Sequence, residues 1–264
     1  MSLTISDGPL AAHAADSNYR IDGPAHRLFF QAFPRRVRAV FGGATVLDTR
    51  RGKLLHETGL LPQLYAPKED MAFDLFAQTK SSTTCPFKAR ATYWSIEYGS
   101  RVAADAVWAY LDPRPEAEWL RGYAALYWER VDTWFDEEEQ VFGRLRDPYH
   151  RVDVRLSSSR VRVRAEGELI AETTRPRLVS ETGLPNRFYV PLEDIRGECL
   201  EPSTRHSVCP YKGQASYSGV RIAGRLLKDA AWCYPEPLED ALRLRGCLSF
   251  DGEGIEIEAD DLPA

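Results

Sequence analysis

The chain repeats itself at a fixed distance of 124 residues, and that constraint outweighs any other in its sequence. Arg36-Val37-Arg38 falls on Arg160-Val161-Arg162, and Glu57-Thr58-Gly59-Leu60 on Glu181-Thr182-Gly183-Leu184. Tyr65, Pro67, Glu69 and Asp70 fall on Tyr189, Pro191, Glu193 and Asp194. Cys85-Pro86-Phe87-Lys88 meets Cys209-Pro210-Tyr211-Lys212, and Asp105 to Tyr110 meets Asp229 to Tyr234. The distance never changes across these matches, so no insertion separates the copies. It is far longer than the ~20–50 residues of a solenoid repeat, so the period marks a duplicated domain. The self-comparison predicts units at 35–140 and 158–264, with 141–157 as a linker and 1–34 as an N-terminal extension without a counterpart.

Within each unit the hydrophobic period is that of strands. Val161 and Val163 alternate with Arg160, Arg162 and Arg164, which assigns valines and arginines to opposite faces. Val152, Val154 and Leu156 repeat the pattern, as do Ile255 and Ile257. Gly42-Gly43 and Glu166-Gly167 sit where hairpin turns belong, because glycine reaches positive φ without steric cost. Short helical turns are expected after Pro67 and Pro191 and over Pro115 to Leu120, where carboxylates stand in the first turn. Each unit is therefore expected to be mostly antiparallel β with short helices, and large enough for its own core.

The 34 Lys and Arg against 39 Asp and Glu leave a net charge of −5, which argues against nucleic acid or an anionic membrane as the partner. No stretch approaches the ~18 apolar residues of a membrane helix, and the first thirty residues lack the basic start and apolar run of a signal peptide. Five cysteines, an odd number without a CxxC pair, fit reduced thiols in the cytoplasm better than a disulfide framework.

The ordered set Arg-Val-Arg, Glu-Thr, Tyr-x-Pro-x-x-Asp, Cys-Pro-aromatic-Lys, Ala-x-Tyr and Ala-x-Trp-x-Tyr, present twice, resembles the domain-of-unknown-function family 427 as a tandem pair. The resemblance covers nearly all of 35–264. It implies two compact β domains of β-tent-like type. A nucleotidyltransferase label also travels with this family. Such transfer needs a phosphate cradle and metal-holding carboxylates, whereas the chain has neither G-x-x-x-x-G-K-[ST] nor G-x-G-x-x-G. Its one acidic cluster, Asp136 to Glu139, reads as a solvated segment. Several β-tent folds hold zinc between two CxxC knuckles, but one recurring cysteine per unit cannot supply four thiolates. No metal and no cofactor is expected.

The recurring Cys-Pro-aromatic-Lys segment joins a nucleophile to a cation that can raise its thiolate fraction, provided a turn at the proline brings Cys85 to Lys88 and Cys209 to Lys212. The alternative is a cysteine packing as a small hydrophobe. Glu57 and Glu181 can pair with those lysines or accept backbone hydrogen bonds in a turn. Tyr65, Arg90, Tyr93, Trp94 and Trp108 in unit one, with Tyr189 and Tyr217 in unit two, are the candidate pocket walls, with core packing as the alternative for Trp108. Unit one also carries Tyr127 and Trp128 where unit two has Asp251 and Gly252. His150 is read as a solvated linker histidine, with reach into a cleft as the alternative. The sequence thus predicts a small planar or heterocyclic ligand in each unit, with a Cys- or Lys-dependent reaction as one outcome. A non-catalytic interaction scaffold is the alternative.

Overall fold

A computed structural model describes residues 26–260; most of the N-terminal extension, residues 1–25, lies outside the described residues. The chain divides into two compact units at Leu145/Arg146. In unit one the strands are β1 (Leu28–Ala32), β2 (Val37–Phe41), β3 (Ala44–Thr49), β4 (Lys53–Glu57), β5 (Leu60–Pro67), β6 (Phe76–Cys85), β7 (Ala89–Tyr98), β8 (Arg101–Ala109), β9 (Tyr123–Leu126), β10 (Thr133–Asp136) and β11 (Glu139–Val141). They form a seven-stranded sheet in the order β1-β4-β5-β9-β8-β7-β6 and a four-stranded sheet in the order β11-β10-β2-β3. Every pairing is antiparallel.

Unit two repeats the plan. Its seven-stranded sheet runs Val152–Leu156, Arg177–Glu181, Arg187–Pro191, Cys247–Phe250, Arg225–Cys233, Gly213–Ile222, Leu200–Cys209, and a three-stranded sheet joins Glu168–Thr173, Val161–Ala165 and Ile255–Ala259. The edge strands β1 and Val152–Leu156 stand 124 residues apart, register for register, and pair with β4 and Arg177–Glu181. The expected unit boundaries at 35 and 158 are corrected accordingly: the extension and the linker each donate a sheet strand to the unit that follows.

The expected turns form. Phe41 pairs with Ala44 across Gly42-Gly43, and Ala165 with Glu168 across Glu166-Gly167. All four loop residues have positive φ, which is what a two-residue hairpin matched to strand twist requires. Single 3-10 turns follow Pro67 and Pro191, and a longer one spans Pro115–Leu120. Asp70 and Asp194 sit in the short turns and hold them down. Thr49 donates to Asp70 at 2.7 Å and Thr173 to Asp194 at 2.6 Å, with Arg51 and Arg175 completing each clamp. The Arg-Val-Arg strands behave as their alternation demands. Val37, Val161 and Val163 are buried, while Arg36 pairs outward with Asp48 and Arg162 with Glu172.

Alternation also gives each large sheet two distinct faces. In unit one Leu54, Leu64, Trp94, Val107 and Ala124 pack with the smaller sheet's Val37, Ala39, Val46 and Leu47. Their chain neighbours Leu55, Tyr65, Tyr93, Trp108 and Ala125 face the other way, under Ala117 and Leu120 of the Pro115–Leu120 turn. In unit two Phe188, Ala231 and Leu248 pack with Val161 and Ile170, while Tyr189 and Cys247 lie on the opposite face with Ala241 and Leu244. One face makes the core; the other carries tyrosine hydroxyls, indoles and the two glutamate–lysine pairs.

The residue after each of those lysines has a backbone that L side chains resist: φ is 117° at Ala89 and 103° at Gly213. A Cβ on Gly213 would also stand 3.0 Å from the Glu236 carbonyl oxygen. Gly213→Ala is expected to lower the stability of unit two by about 1–3 kcal/mol, the usual range for a residue forced into a sparsely populated region, read from urea unfolding. The reverse change, Ala89→Gly, is expected to raise the stability of unit one.

Candidate functional site

The Cys-Pro-aromatic-Lys segment turns the corner between two long strands, and each residue has its own task. Cys85 closes β6, Pro86 and Phe87 form the turn, and Lys88 precedes β7. The turn brings the lysine back across the sheet to the end of β4. There the Lys88 ammonium donates to Glu57 Oε2, and Lys212 does the same to Glu181 Oε2. Only 8% and 9% of the Lys88 and Glu57 side chains remain exposed, and 9% and 10% of those of Lys212 and Glu181.

A third member joins each pair. His26 Nε2 lies 2.9 Å from Glu57 Oε1, and His150 Nε2 lies 2.9 Å from Glu181 Oε1. The two histidines again stand 124 residues apart. Each ring stacks on the aromatic of the lysine turn, His26 on Phe87 at 3.9 Å and His150 on Tyr211 at 4.2 Å between centroids. The threonine of the Glu-Thr motif fixes the histidine's approach: Thr58 accepts from the Arg27 N–H, and Thr182 from the Arg151 N–H, both at 2.9 Å. Asp147 orders the approach in unit two, accepting from the backbone N–H groups of Tyr149 and His150 and from the Tyr211 hydroxyl. His150 is therefore a fixed partner of the carboxylate within unit two, which corrects the solvated linker histidine that the sequence favoured.

Burial alone would raise the Glu181 carboxyl, but the His150 hydrogen bond and the Lys212 charge outweigh it and hold the group below its ordinary value. Glu181 is thus an anion at neutral pH, held between two donors. The surrounding phenols move the other way. Burial lifts Tyr65, Tyr110, Tyr189 and Tyr234 well above their ordinary range, so they remain neutral hydroxyls.

A cavity opens over each pair. That of unit one has a volume of about 190 Å³ and is lined by Glu57, Lys88, Tyr65, Tyr93, Trp108, Tyr110 and Tyr127, among others. That of unit two, about 240 Å³, is lined by Glu181, Lys212, Tyr189, Tyr217, Trp232 and Tyr234, with Arg187 at its wall. The polar tips of the wall are set by hydrogen bonds. Trp108 donates to the Tyr65 hydroxyl at 3.2 Å and Trp232 to that of Tyr189 at 3.1 Å. Tyr93 pairs with Thr83 at 2.8 Å and Tyr217 with Ser207 at 2.9 Å.

Four of the candidate residues do not belong to these walls. Trp94 follows Tyr93 in β7 and so points to the opposite face, into the core beside Phe73. Arg90 is exposed on β7. Cys85 and Cys209 pack against the apolar clusters of Tyr65 and Tyr189 and are not among the residues lining either cavity. The small-hydrophobe alternative for the cysteines is the one their positions fit, because the strand end that aims lysine at glutamate leaves the thiol behind. Among the described residues no group of three or more His, Cys, Asp and Glu side chains is placed to hold a metal ion, and no helix is long and apolar enough to cross a membrane. Sequence reasoning missed His26 and Arg144. For His26 a signal existed, since Pro24-x-His26-Arg27 matches Pro148-x-His150-Arg151 at the same distance of 124.

Glu181→Gln would leave a buried ammonium without its counter-charge, and is expected to lower the stability of unit two by about 3–5 kcal/mol at pH 7. Because the folded-state carboxyl titrates below its ordinary value of 4.5, its stabilising share is present above that value and is lost as the pH falls through the folded one. The gap between wild type and Glu181→Gln is therefore expected to shrink in urea unfolding at pH 3. Adding Lys212→Met is expected to restore most of the loss at pH 7, since a buried pair replaced whole by apolar groups costs little.

Comparison with known families places these features in both halves of the chain. The family described as Domain of unknown function (DUF427) matches twice, over residues 30–137 and 153–261. No curated protein matches the chain. The two matched segments cover most of its length and contain both glutamate–lysine pairs, so the chain belongs to the DUF427 family as a tandem pair of its domain.

Proposed function

We propose that each unit is a binding module for a small planar ligand, held between the tyrosine and tryptophan walls and read at its edge by the glutamate–lysine pair. The observation that carries this reading is the recurrence, in both units, of a Lys–Glu–His trio whose buried charged pair lines an aromatic cavity. A buried ion pair is a poor stabilising device, since desolvation offsets its attraction. Two such pairs facing cavities make better sense as recognition groups. An ammonium keeps two further N–H donors after pairing, and a carboxylate keeps free lone pairs. Side by side, they complement a heterocycle edge that presents an acceptor next to a donor.

Size points the same way. An engineered apolar cavity of about 150 Å³ holds benzene, so cavities of about 190 and 240 Å³ suit one ring or a small fused pair. Aromatic walls with polar tips favour a flat ligand by stacking and hydrogen bonding. The chemistry of the walls favours binding over covalent catalysis. An imine-forming lysine attacks as a neutral amine, whereas Lys88 and Lys212 each face a carboxylate that stabilises the ammonium. The residues lining the cavities include no cysteine, serine or threonine.

A thermal-shift screen of nucleobases and other one- and two-ring heterocycles tests this reading. A ligand at a hundred times its dissociation constant is expected to stabilise the unit that holds it by about 2.7 kcal/mol. Removing both pairs at once (Glu57→Gln with Lys88→Met, and Glu181→Gln with Lys212→Met) is expected to abolish that shift in a chain that still folds. A screen in which no planar heterocycle stabilises the chain, or a shift that survives in the quadruple variant, overturns the proposal.

A further inference from the structure

The two cavities share a floor but not a wall, and the difference is one of charge. Arg144 lines the cavity of unit one. It is half-buried, and burial lowers its guanidinium from the ordinary value, opposed only by the charge of Glu129. Among the described residues it has no ion pair and no hydrogen bond, unlike the other cavity arginine, Arg187. That residue lies over the Trp232 ring at 4.8 Å and donates to Asp251 at 3.1 Å and to the Phe250 carbonyl at 3.3 Å. A second unanswered donor belongs to Trp128, another residue of that lining. The Trp128 indole N–H is buried and has no acceptor among the described residues, and the position 124 residues on is Gly252.

We infer that the cavity of unit one takes a planar ligand bearing an anionic group, a carboxylate or a phosphate, which Arg144 and the Trp128 indole N–H receive. This rests on the aromatic cavity being a ligand site at all. A guanidinium drawn half out of water without a partner is costly, as is a buried N–H without an acceptor. One carboxylate or phosphate answers both, since its oxygens match the guanidinium fork in two parallel hydrogen bonds. The Glu57–Lys88 pair is neutral overall and leaves the sign of the ligand to these two donors. Glu129, exposed at the rim of this cavity, opposes an anion and tempers its affinity. In unit two the arginine of the wall, Arg187, is already engaged by Asp251, so that cavity is inferred to favour neutral rings.

The probes are benzoate, phenyl phosphate and neutral benzamide, titrated against the full chain while the indole N–H resonances of Trp128 and Trp232 are followed by NMR. Benzoate or phenyl phosphate is expected to bind at least tenfold more tightly than benzamide and to shift the Trp128 resonance, not that of Trp232. Whichever anion binds more tightly identifies the group as carboxylate or phosphate. Arg144→Gln is expected to remove the tenfold preference, Arg144→Lys to restore part of it, and Glu129→Gln to strengthen anion binding. Benzamide binding unit one as tightly as both anions overturns the inference in the unaltered chain and leaves the aromatic site standing, as does anion binding indifferent to Arg144→Gln. Absence of binding by all three probes overturns the inference, while the heterocycle screen decides the binding-module reading separately.

Discussion

One carboxylate in each unit gathers three distant stretches of chain. Glu57 ends β4, receives Lys88 from the turn between β6 and β7, and receives His26 from the approach to the edge strand β1. The same carboxylate position in unit two binds Lys212 and His150. A lone buried anion would be expelled or protonated; with two donors it becomes a fixed point that sets where the lysine turn and the edge strand can lie. The grip extends through the backbone, because the Lys88 carbonyl accepts from the Arg114 N–H at 3.1 Å and the Lys212 carbonyl from the Leu238 N–H at 3.1 Å. Those contacts hold the 3-10 segments that roof the aromatic face. The cavity, its floor and its roof thus depend on the same ion pair.

The aromatic face exists because the strands are read on both sides. Each large sheet uses one side to make an apolar core with a smaller sheet, and the alternation of side chains then presents every intervening residue to the other side. Tyr65, Tyr93 and Trp108 are consecutive neighbours of Leu64, Trp94 and Val107, so a single-residue slip in β5, β7 or β8 would exchange cavity wall for core. Local irregularities pin the register against such a slip. Asp105 in β8 has a φ of 47° and accepts from Thr79 at 2.6 Å and Ser81 at 2.7 Å; Asp229, with a φ of 53°, accepts from Ser203. Bulges of this kind fix which residues face which side.

Much of this was legible before any coordinates. A constant distance of 124 residues revealed the duplication, and alternating valines and arginines revealed strands whose faces are as expected. The glutamate–lysine pairing was one of two readings that the recurring motifs allowed, the other being a turn carboxylate bonded to backbone. Where the reading failed, the causes are local. The edge strands Leu-Phe-Phe-Gln-Ala and Val-Asp-Val-Arg-Leu share their register but hardly a residue, so self-comparison stopped short of them and left His26 in an extension and His150 in a linker. Trp94 was grouped with Tyr93 by chemistry, although the period of two sends neighbours to opposite faces. Arg144 lies outside any strand or motif. Its importance comes from what surrounds it in space and from the partner it does not have, and neither leaves a trace in sequence spacing.

Duplication explains why floor and wall have diverged differently. Residues of the floor serve two purposes, since Glu57, Lys88 and His26 position backbone as well as line or flank a cavity, and changing one strands the others as unpaired buried groups. Wall residues carry no such double duty. Gln63 becomes Arg187, Tyr127 becomes Asp251 and Trp128 becomes Gly252 while the ion pair itself is kept. The changes are not independent of one another, however. Arg187 needs the neighbouring Asp251 and the Trp232 ring to satisfy its guanidinium, so the arginine and the aspartate act as a matched pair that fills, with protein charges, space that unit one leaves to aromatic rings. Two copies of one fold can in this way keep a common recognition edge while presenting differently charged surroundings to whatever enters.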